Sequence, residues 1–460
     1  MVGSFRIDTD GTEIYKITDE NNVMIVVTVT SLSATQKQVV FSGQLVICNT
    51  LSEHFEMKVV EAVEVDKDKM FKNAPTQIVN GKFVPPSILI NSTKKYFLRL
   101  RFYGLESAWS GDIPLVENMK CAQPWLVKVP LQERGQFLSI WCRIVTQTFP
   151  KGVKILAILS PLFMIRSNLP VNSKVHIETP TLNVHLESTI RGKGEFQQLY
   201  CPGTIDHSHQ LSFQLDDTPT SNPYVPLNYS LVDQKKFFKK PDQQDINEIL
   251  ASLSKSNQSA WPYFGEEYEG IDFLIEDQPL THVQVRYQSA SEHSSALLVE
   301  LLPWCLLLNT LGCPIAVIIN EKELCRVNHH GICTPPKLEE TFYLGVGIGG
   351  TWNLTSPLQL AKSDWSQSFY MPKITGTIPI NGSIKTLVKC DPYICMVFLC
   401  SSIVNEIRLL KVSSTHVLTN YSSIQLNGIC FAVPDNGTQY NIPKDVDKHS
   451  FAIMPNLNKR

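Results

Sequence analysis

The sequence predicts an all-β protein, and three observations support this fold class. Short β-branched or aromatic runs recur along the chain, among them residues 24–29, 96–100, 282–287 and 395–399. Pro, Gly, Asn and Ser separate these runs, as expected for strands joined by turns. Helical periodicity is nearly absent. We therefore predict a tandem array of antiparallel β-sandwich modules with one polar insertion that carries a short helix.

The composition excludes several classes of protein. The chain has 460 residues, of which 43% are hydrophobic and 18% charged, and its formal net charge is −2. These values support a packed core, argue against wholesale disorder and give no strong attraction to nucleic acid. No apolar run reaches the roughly 18–20 residues that cross a bilayer, and residues 1–6 do not resemble a secretory signal. Twelve cysteines without a Cys-x-x-Cys pair predict a reduced, cytosolic chain.

An internal repeat organises the chain. Four times, an apolar strand ends at an Asn and a second, alternating strand follows; the four residues are Asn49, Asn168, Asn309 and Asn420. A further apolar strand precedes each copy, and a Pro-containing loop with an aromatic-led strand comes after it. The Asn positions are 119, 141 and 111 residues apart, which suits one two-sheet sandwich per repeat.

The repeat divides the chain into five predicted segments. They are 1–40, the closing strands of a preceding module; 41–160, a module centred on Asn49; 161–300, a module centred on Asn168 with an insertion at 216–265; 301–410, a module centred on Asn309; and 411–460, the truncated start of a module centred on Asn420.

The repeated Asn has two interpretations. Asn tolerates a left-handed backbone, and its amide can bond the backbone two residues on, so it suits a strand end that must turn sharply. We favour this structural role, a turn residue that defines each module, over contact with a ligand. A buried amide that lost its partners would cost roughly 1–3 kcal/mol.

The insertion carries a second candidate site. Four basic side chains flank two aromatic ones there: Lys235, Lys236, Phe237, Phe238, Lys239 and Lys240. Basic clusters of this size bind anionic lipid, and Phe adds apolar insertion into the membrane. A solvated loop is the simpler interpretation.

A short helix is predicted directly after this cluster, at 242–255. Its apolar residues fall at helical spacing, namely Ile246, Ile249, Leu250 and Leu253. We expect this amphipathic helix to pack against a module rather than against a membrane or a partner.

Motifs for catalysis, cofactors and metals fail their context tests. The Gly-rich run at 345–350 is not followed by a helical pattern, so it does not indicate a nucleotide site. His207 and His209 share one face of a predicted strand, and His329 and His330 are adjacent, but no third metal ligand accompanies either pair. No nucleophile can be assigned to a His partner. We therefore predict no enzymatic activity, no cofactor and no metal.

Asn-ended strands in units of this size resemble the adaptor-binding domain, also called the SHR-BD region, of the vacuolar protein sorting 13 family. That domain is an array of similar β modules, each with a characteristic Asn, and Asn49, Asn168, Asn309 and Asn420 match it one by one. The sequence at 160–173 and 301–318 is most similar to the B-type branch of the family. The resemblance covers essentially the whole chain.

The resemblance implies a role in membrane trafficking. Family members are bridges that carry lipids between organelles, so the parent protein would bind glycerolipids. The chain would lie in the cytoplasm, peripheral on Golgi or endosomal membranes at organelle contact sites. The family domain receives short proline-containing adaptor peptides that place the bridge on a membrane.

These implications give a primary expectation and an alternative. We expect a non-enzymatic, adaptor-binding β-repeat region, in which a sheet edge or an inter-module cleft receives an extended peptide. The alternative is a module that binds an anionic membrane surface through the basic and aromatic insertion. No nucleic acid partner is expected.

Overall fold

A computed structural model describes most of the chain. The described residues are 6–16, 24–65, 68–79, 83–87, 95–116, 123–132, 135–215, 222–238, 245–255, 270–275, 278–311, 313–329, 331–338, 341–348, 351–355, 357–358, 365–370, 377–379, 396–404, 407–414, 416–420, 426–427, 432–433, 438–442 and 454–455.

Strands dominate the described residues, which confirms the all-β prediction. In chain order the strands are β1 (Gly11–Lys16), β2 (Met24–Ser31), β3 (Lys37–Ser42), β4 (Leu45–Asn49), β5 (Phe55–Val65), β6 (Asp68–Val79), β7 (Phe83–Ser87), β8 (Tyr96–Phe102), β9 (Ile113–Pro114), β10 (Trp125–Pro130), β11 (Phe137–Phe149), β12 (Gly152–Pro161), β13 (Phe163–Ser167), β14 (Ser173–Thr179), β15 (Val184–Ile190), β16 (Glu195–Leu199), β17 (His209–Leu215), β18 (Val225–Leu227), β19 (Gly270–Ile275), β20 (Gln278–Ser289), β21 (Leu297–Pro303), β22 (Cys305–Asn309), β23 (Ile315–Ile319), β24 (Lys322–Val327), β25 (Ile332–Cys333), β26 (Tyr343–Ile348), β27 (Thr351–Leu354), β28 (Trp365–Tyr370), β29 (Thr377–Pro379), β30 (Met396–Val404), β31 (Ile407–Ser414), β32 (His416–Asn420), β33 (Leu426–Asn427), β34 (Ala432–Val433), β35 (Thr438–Ile442) and β36 (Met454–Pro455).

Helix is confined to short segments of the described residues. They are the 3₁₀ turns Pro180–Leu182 and Tyr229–Leu231 and the α-helices α1 (Gln234–Phe237) and α2 (Ile246–Lys255). Helix α2 falls inside the predicted helical segment, which confirms the prediction made from its apolar spacing.

The same pair of sheets occurs three times along the chain, and we call these pairs the first, second and third units. Each unit joins a five-stranded sheet to an antiparallel partner sheet. The strand orders are β10-β11-β12-β4-β7 with β6-β5-β8-β9, then β16-β13-β21-β20-β19 with β15-β14-β17-β18, then β25-β22-β31-β30-β28 with β24-β23-β26-β27-β29.

The five-stranded sheets are mixed rather than purely antiparallel. In each unit, the strand that leads into the repeated turn pairs in parallel with the last strand of the same unit: β4 with β12, β13 with β21, and β22 with β31. A parallel partner needs a long crossover connection, and the rest of the unit supplies it. The sequence pattern did not show this because periodicity reports burial and not strand direction.

A hydrophobic core lies between the two sheets of each unit. Strands with one covered face alternate strictly, as β8 and β14 do. By contrast, residues 154–161 of β12 and all of β21 are buried on both faces. The outer faces of these two strands must therefore be covered as well, and the two units do this differently.

The remaining strands form smaller sheets. Strands β1–β3 make an antiparallel sheet at the position predicted for the closing strands of a preceding module. Strands β32 and β35 pair, and β33 pairs with β34 and β36. The predicted module limits at 160, 300 and 410 fall within the last strand of each unit. That each unit folds as a separate domain stays a prediction.

Candidate functional site

The turn after β4 is built around the side-chain amide of Asn49, which is 2% exposed. Its Oδ1 accepts from the N–H of Leu51 at 3.1 Å, and its Nδ2 donates to the carbonyl of Glu53 at 2.8 Å. Thr50 donates its N–H and its hydroxyl to the carbonyl of Leu159 on β12, at 3.0 and 2.8 Å. The turn thus satisfies backbone groups that no ladder reaches and fixes β4 to its parallel neighbour.

The turn after β22 repeats this arrangement around Asn309, which is fully buried. Its Oδ1 accepts from the N–H of Leu311 at 2.9 Å. Its Nδ2 lies within 3.2 Å of three carbonyl oxygens, those of Cys313, Val327 and Asn328. Thr310 donates its N–H and hydroxyl to the carbonyl of Val412 on β31, each at 2.9 Å. Both turns use the Asn amide inside the fold, which supports the structural interpretation.

In the second unit, the strand register places Ser167 rather than Asn168 at this position. Ser167 lies opposite Leu301 on the parallel strand β21, as Asn49 lies opposite Leu159 on β12. Its hydroxyl lies 3.4 Å from the N–H of the residue two positions on, a longer version of the bond that the Asn side chain accepts. The match of Asn168 to the other Asn residues is therefore displaced by one residue.

Asn168 takes the place that Thr occupies in the other two turns. Its N–H donates to the carbonyl of Leu301 at 2.9 Å, as the N–H of Thr50 and Thr310 donates to β12 and β31. Asn168 is buried, yet its Nδ2 has no hydrogen-bond partner among the described residues. The side chain of Asn168 thus contributes less to its turn than Asn49 and Asn309 do to theirs.

A three-residue pattern in the sequence could have revealed this shift. Asn-Thr-Leu occurs at 49–51 and 309–311, and Ser-Asn-Leu occurs at 167–169. The leucines, Leu51, Leu169 and Leu311, are buried in the cores of their units. Aligning the leucines gives the same register as the structure. Strand β32 ends at Asn420, whose side chain lies outside the described residues.

The aromatic part of the insertion belongs to the core of the second unit. Phe238 is 2% exposed, and its ring lies 5.4 Å from the ring of Trp141 and 5.8 Å from that of Tyr229. Phe237 packs at the edge of the same cluster. The ring of Phe238 therefore fills an apolar space inside the protein, and in this position it is not available to a bilayer.

This aromatic cluster also joins two units. Trp141 comes from β11 of the first unit, but its side chain lies in the core of the second unit. Its indole N–H donates to the hydroxyl of Tyr229 at 2.7 Å, and that hydroxyl donates to the carbonyl of Leu162 at 2.7 Å. Burial holds the pKa of Tyr229 well above 10, so the hydroxyl stays protonated and can donate. The insertion therefore helps to fix the first unit to the second.

Helix α2 makes a second contact between the same units. Its apolar residues Ile246, Ile249 and Leu253 cover the outer face of the mixed sheet of the first unit. The sheet residues beneath them are Val46, Cys48, Val145, Leu156 and Ile158. Packing of the predicted helix against a module is thereby confirmed, and the module is the preceding one in the chain.

Polar contacts fix the first turn of α2 to the same sheet. The side chain of Asp245 accepts from the N–H of Asn247 at 2.8 Å and so caps the helix. Lys154 on β12 donates to the side chain of Asn247 at 3.1 Å, and Gln147 on β11 accepts from the N–H of Ile246 at 3.3 Å. The side chains of Lys235 and Lys236, and Lys239 and Lys240 altogether, lie outside the described residues.

In the second unit, the corresponding face of the mixed sheet carries buried, ion-paired side chains. Arg166, Glu300 and Arg286 lie side by side on β13, β21 and β20. The guanidinium of Arg166 binds one carboxylate oxygen of Glu300, and that of Arg286 binds the other through Nε at 2.9 Å and Nη2 at 2.6 Å. Gln288 donates to the same Glu300 oxygen as Arg286, at 2.5 Å. The sequence does not reveal this network, because its members are far apart in the chain.

An exposed sheet edge lies in the same unit. Strand β15 ends the order β15-β14-β17-β18, and residues 185–189 are exposed on both faces. After β15, the chain continues through residues 191–194 into β16, which is an edge strand of the mixed sheet. An open cleft of about 550 Å³ lies at this corner, lined by Asn172, Arg191, Gly192, Lys193, Gly194, Glu195 and Phe196.

The backbone of this cleft is held tightly. A Cβ on Gly192 would collide with the carbonyl oxygen of Val171, so only glycine fits. The N–H of Gly192 donates to Oδ1 of Asn172 at 3.1 Å, and the N–H of Arg191 donates to Gln197 at 2.5 Å. A rigid, concave corner between two sheet edges, with basic residues in its wall, suits a ligand with an extended backbone.

Two of the histidines singled out in the sequence, His207 and His209, have ordinary structural contacts, and His330 lies outside the described residues. Nδ1 of His207 accepts from the N–H of Thr204 at 3.1 Å. His209 is buried against Thr179, with 2.8 Å between Nδ1 and the hydroxyl oxygen. Among the described residues, no three His, Cys, Asp or Glu side chains are arranged to hold a metal. No helix in the described part of the chain is long and apolar enough to cross a membrane.

Comparisons with known proteins give one consistent result. The chain is 27% identical over 349 residues to the mouse intermembrane lipid transfer protein VPS13B, a match that covers 74% of this chain and 8% of the mouse protein. It is 25% identical over 479 aligned residues to the human protein of the same name, a match that covers 98% of this chain and 11% of the human protein. The chain thus spans about a tenth of the length of these relatives. No family model matches it.

Fold and repeated turns together define a β-repeat protein made of two-sheet units. The similarity along nearly the whole chain supports membership of the vacuolar protein sorting 13 family, since both relatives named above are of its B type.

Proposed function

We propose that this chain is a non-enzymatic interaction region of a larger lipid-transfer protein. In this proposal it binds an extended, proline-containing adaptor peptide and so recruits its parent to Golgi or endosomal membranes. The proposal rests on similarity to proteins named for intermembrane lipid transfer. The lipid transfer itself, with glycerolipid as cargo, would belong to the parent protein.

The observation that carries the proposal is the free edge of β15. An extended peptide can add to a sheet edge as a further strand, because its backbone groups then pair with those of the edge. Among the described strands β15 pairs with β14 alone, and both of its faces reach solvent. Proline fits such a site where its missing N–H would point away from the ladder.

The cleft at the end of β15 indicates where a peptide bound along this edge would continue and which side chains it would meet. A peptide that follows β15 would enter the wall formed by residues 191–196. Arg191 and Lys193 are exposed there, and Glu195 neutralises part of their charge through an ion pair of 3.0 Å with Arg191. A peptide with an apolar residue beside Leu186 and an acidic residue near the cleft would complement both features.

A binding assay with matched variants tests this proposal. Labelled proline-containing peptides are titrated with the full chain, and affinity is read by fluorescence anisotropy. Leu186→Asp on β15 should weaken binding at least about tenfold, since it removes the apolar contact and repels an acidic peptide. Leu182→Asp is the control, because Leu182 is 40% and Leu186 37% exposed but Leu182 lies in the 3₁₀ turn that precedes β15 and not on the strand.

A second pair of variants tests the cleft. Lys193→Glu should weaken the binding of acidic peptides, whereas Lys322→Glu at the exposed start of β24 in the third unit should leave it unchanged. Equal affinity of wild type, Leu186→Asp and Lys193→Glu would exclude this edge as the peptide site.

The alternative, binding to an anionic membrane, stays a narrower proposal. Because Phe238 is buried, the contribution would come from the charges of Lys235, Lys236, Lys239 and Lys240 alone. Flotation with phosphatidylserine vesicles should then fade between about 50 mM and a few hundred millimolar salt. Replacing the four lysines by Gln should abolish it. Binding that persists in this variant would exclude the basic cluster.

A further inference from the structure

Two cysteines of the third unit lie side by side at the edge of its core. Cys325 is on β24 and Cys333 ends β25, these two strands contact each other, and the Cys333 thiol lies close enough to raise the pKa of Cys325. Both are free and half-buried, and both pack against the same core cluster. They are close in space although they belong to different strands.

The pair closes the turn that Asn309 holds. Between the two cysteines, the N–H of Gly331 donates to the carbonyl of Asn328 at 3.0 Å. The N–H of Asn309 donates to the carbonyl of Gly331 at 2.9 Å. The side-chain amide of Asn309 donates into the same turn from inside. A bond between the two sulfurs would therefore cross the base of this turn.

The other described cysteines are less suited to react. Cys48, Cys142, Cys201 and Cys305 are buried, and burial raises the pKa of Cys142 to about 12. Cys313 is half-buried and lies in the same unit, so it serves as the internal comparison. No metal-binding group involving these cysteines is found among the described residues.

We propose that Cys325 and Cys333 form a reversible disulfide when the protein meets a hydroperoxide. The neighbouring Cys333 thiol, with burial, holds Cys325 in its protonated form by raising its pKa. One of the two thiols attacks the peroxide, which gives a sulfenic acid and one water from hydrogen peroxide.

The sulfur of the other cysteine then attacks the sulfenic sulfur. The S–S bond forms, the S–O bond breaks, and a second water leaves with the proton of that cysteine's thiol. Overall, two thiols lose two hydrogens and one peroxide is reduced to two waters. Thiol reductants reverse the reaction by exchange.

The consequence of the cross-link is that the turn no longer depends on Asn309. A disulfide across a short loop lowers the entropy of the unfolded chain and holds the strand ends together. Oxidation should therefore stabilise the third unit, and it should do so most when the amide of Asn309 is missing.

Peptide mapping under non-reducing conditions tests bond formation directly. Trypsin cleaves after Lys322, Arg326 and Lys337, so the bond would join peptides 323–326 and 327–337. Wild-type chain treated with hydrogen peroxide should give this linked pair, and dithiothreitol should separate it. Cys313→Ser should behave as wild type, and Cys333→Ser should give no linked pair. Linkage of either cysteine to Cys313 instead, or sulfinic acid at both positions, would overturn the proposal.

Thermal unfolding tests the consequence for stability. Peroxide should raise the melting temperature of wild type, and that of Asn309→Ala by roughly 5 °C or more. Cys325→Ala with Asn309→Ala should show no rise. An equal rise in both Asn309 variants, or no rise in either, would refute a stabilising disulfide at this turn.

Discussion

The first and second units differ in the side chains that lie on the outer face of their mixed sheets. In the first unit, Cys48, Ile158 and Arg143 occupy neighbouring positions on β4, β12 and β11. In the second unit, the corresponding positions on β13, β21 and β20 hold Arg166, Glu300 and Arg286. Helix α2 covers the first face with apolar side chains, whereas ion pairs neutralise the second face from within.

The two units therefore share the same strand register, but the side chains on the outer face of the mixed sheet differ. The helix covers apolar side chains that would otherwise form an exposed patch, and the ion pairs compensate charges that would otherwise be buried alone. The helical solution gains free energy from apolar burial, and the ionic one offsets a desolvation cost by pairing. The helix also fixes two units together, since it belongs to the second and lies on the first.

The largest expected effect comes from breaking the ionic face. Glu300→Gln would leave the guanidinium groups of Arg166 and Arg286 buried without a counter-charge, and we expect a loss of about 3–5 kcal/mol. The free energy of unfolding can be measured by urea denaturation. Glu323→Gln is the control, because its ion pair with Arg326 is about one-third exposed and should be worth under about 1 kcal/mol. A similar small loss for both variants would contradict a buried network.

Breaking the helical face should have the next largest effect. Ile249→Ala removes a buried side chain from the contact between α2 and the sheet, and we expect a loss of about 2–4 kcal/mol. Glu248→Gln is the control, since Glu248 is exposed on the same helix. Protease cleavage within α2 should become faster in Ile249→Ala only. Unchanged stability would mean that the helix does not hold the two units together.

The repeated turns should differ among units in a defined order. Asn309→Ala removes an amide with several backbone partners and should cost about 1–3 kcal/mol, and Asn49→Ala should cost about the same or less. Asn168→Ala should cost least, because its Nδ2 has no described partner. Urea denaturation of the three variants gives the order. If Asn168→Ala lowered the free energy of unfolding most, Asn168 would be the equivalent of Asn49 and Asn309 after all.

The last expected effect concerns pH in the second unit. Burial, with a smaller contribution from His207, lowers the pKa of His209 from 6.5 to about 4. The unfolded chain therefore binds more protons between these values, so the contribution of His209 to stability is complete above pH 6.5 and is lost as pH falls toward 4. Melting temperatures from pH 7 to 4 should fall less steeply for His209→Gln. Parallel curves for both proteins would contradict this.

Much of the fold could be predicted from the sequence for a simple reason. Alternating and continuous apolar runs report which faces of a strand are buried, so the strands and the repeat followed from the pattern. The apolar spacing of Ile246, Ile249 and Leu253 likewise predicts helix α2 correctly. The position of the turn could be predicted only to within one residue, as Ser167 and Asn168 show.

The features that follow from the amino-acid sequence alone are local: all-β structure, a four-fold strand-end pattern, one amphipathic helix and the family resemblance. Three others depend on the folded chain, namely that each unit ends with a parallel strand, that Phe238 is a core residue and that Arg166 meets Glu300. The physical reason is distance along the chain. Residues 134 positions apart form that ion pair, and periodicity within a window of a dozen residues carries no information about such a partner.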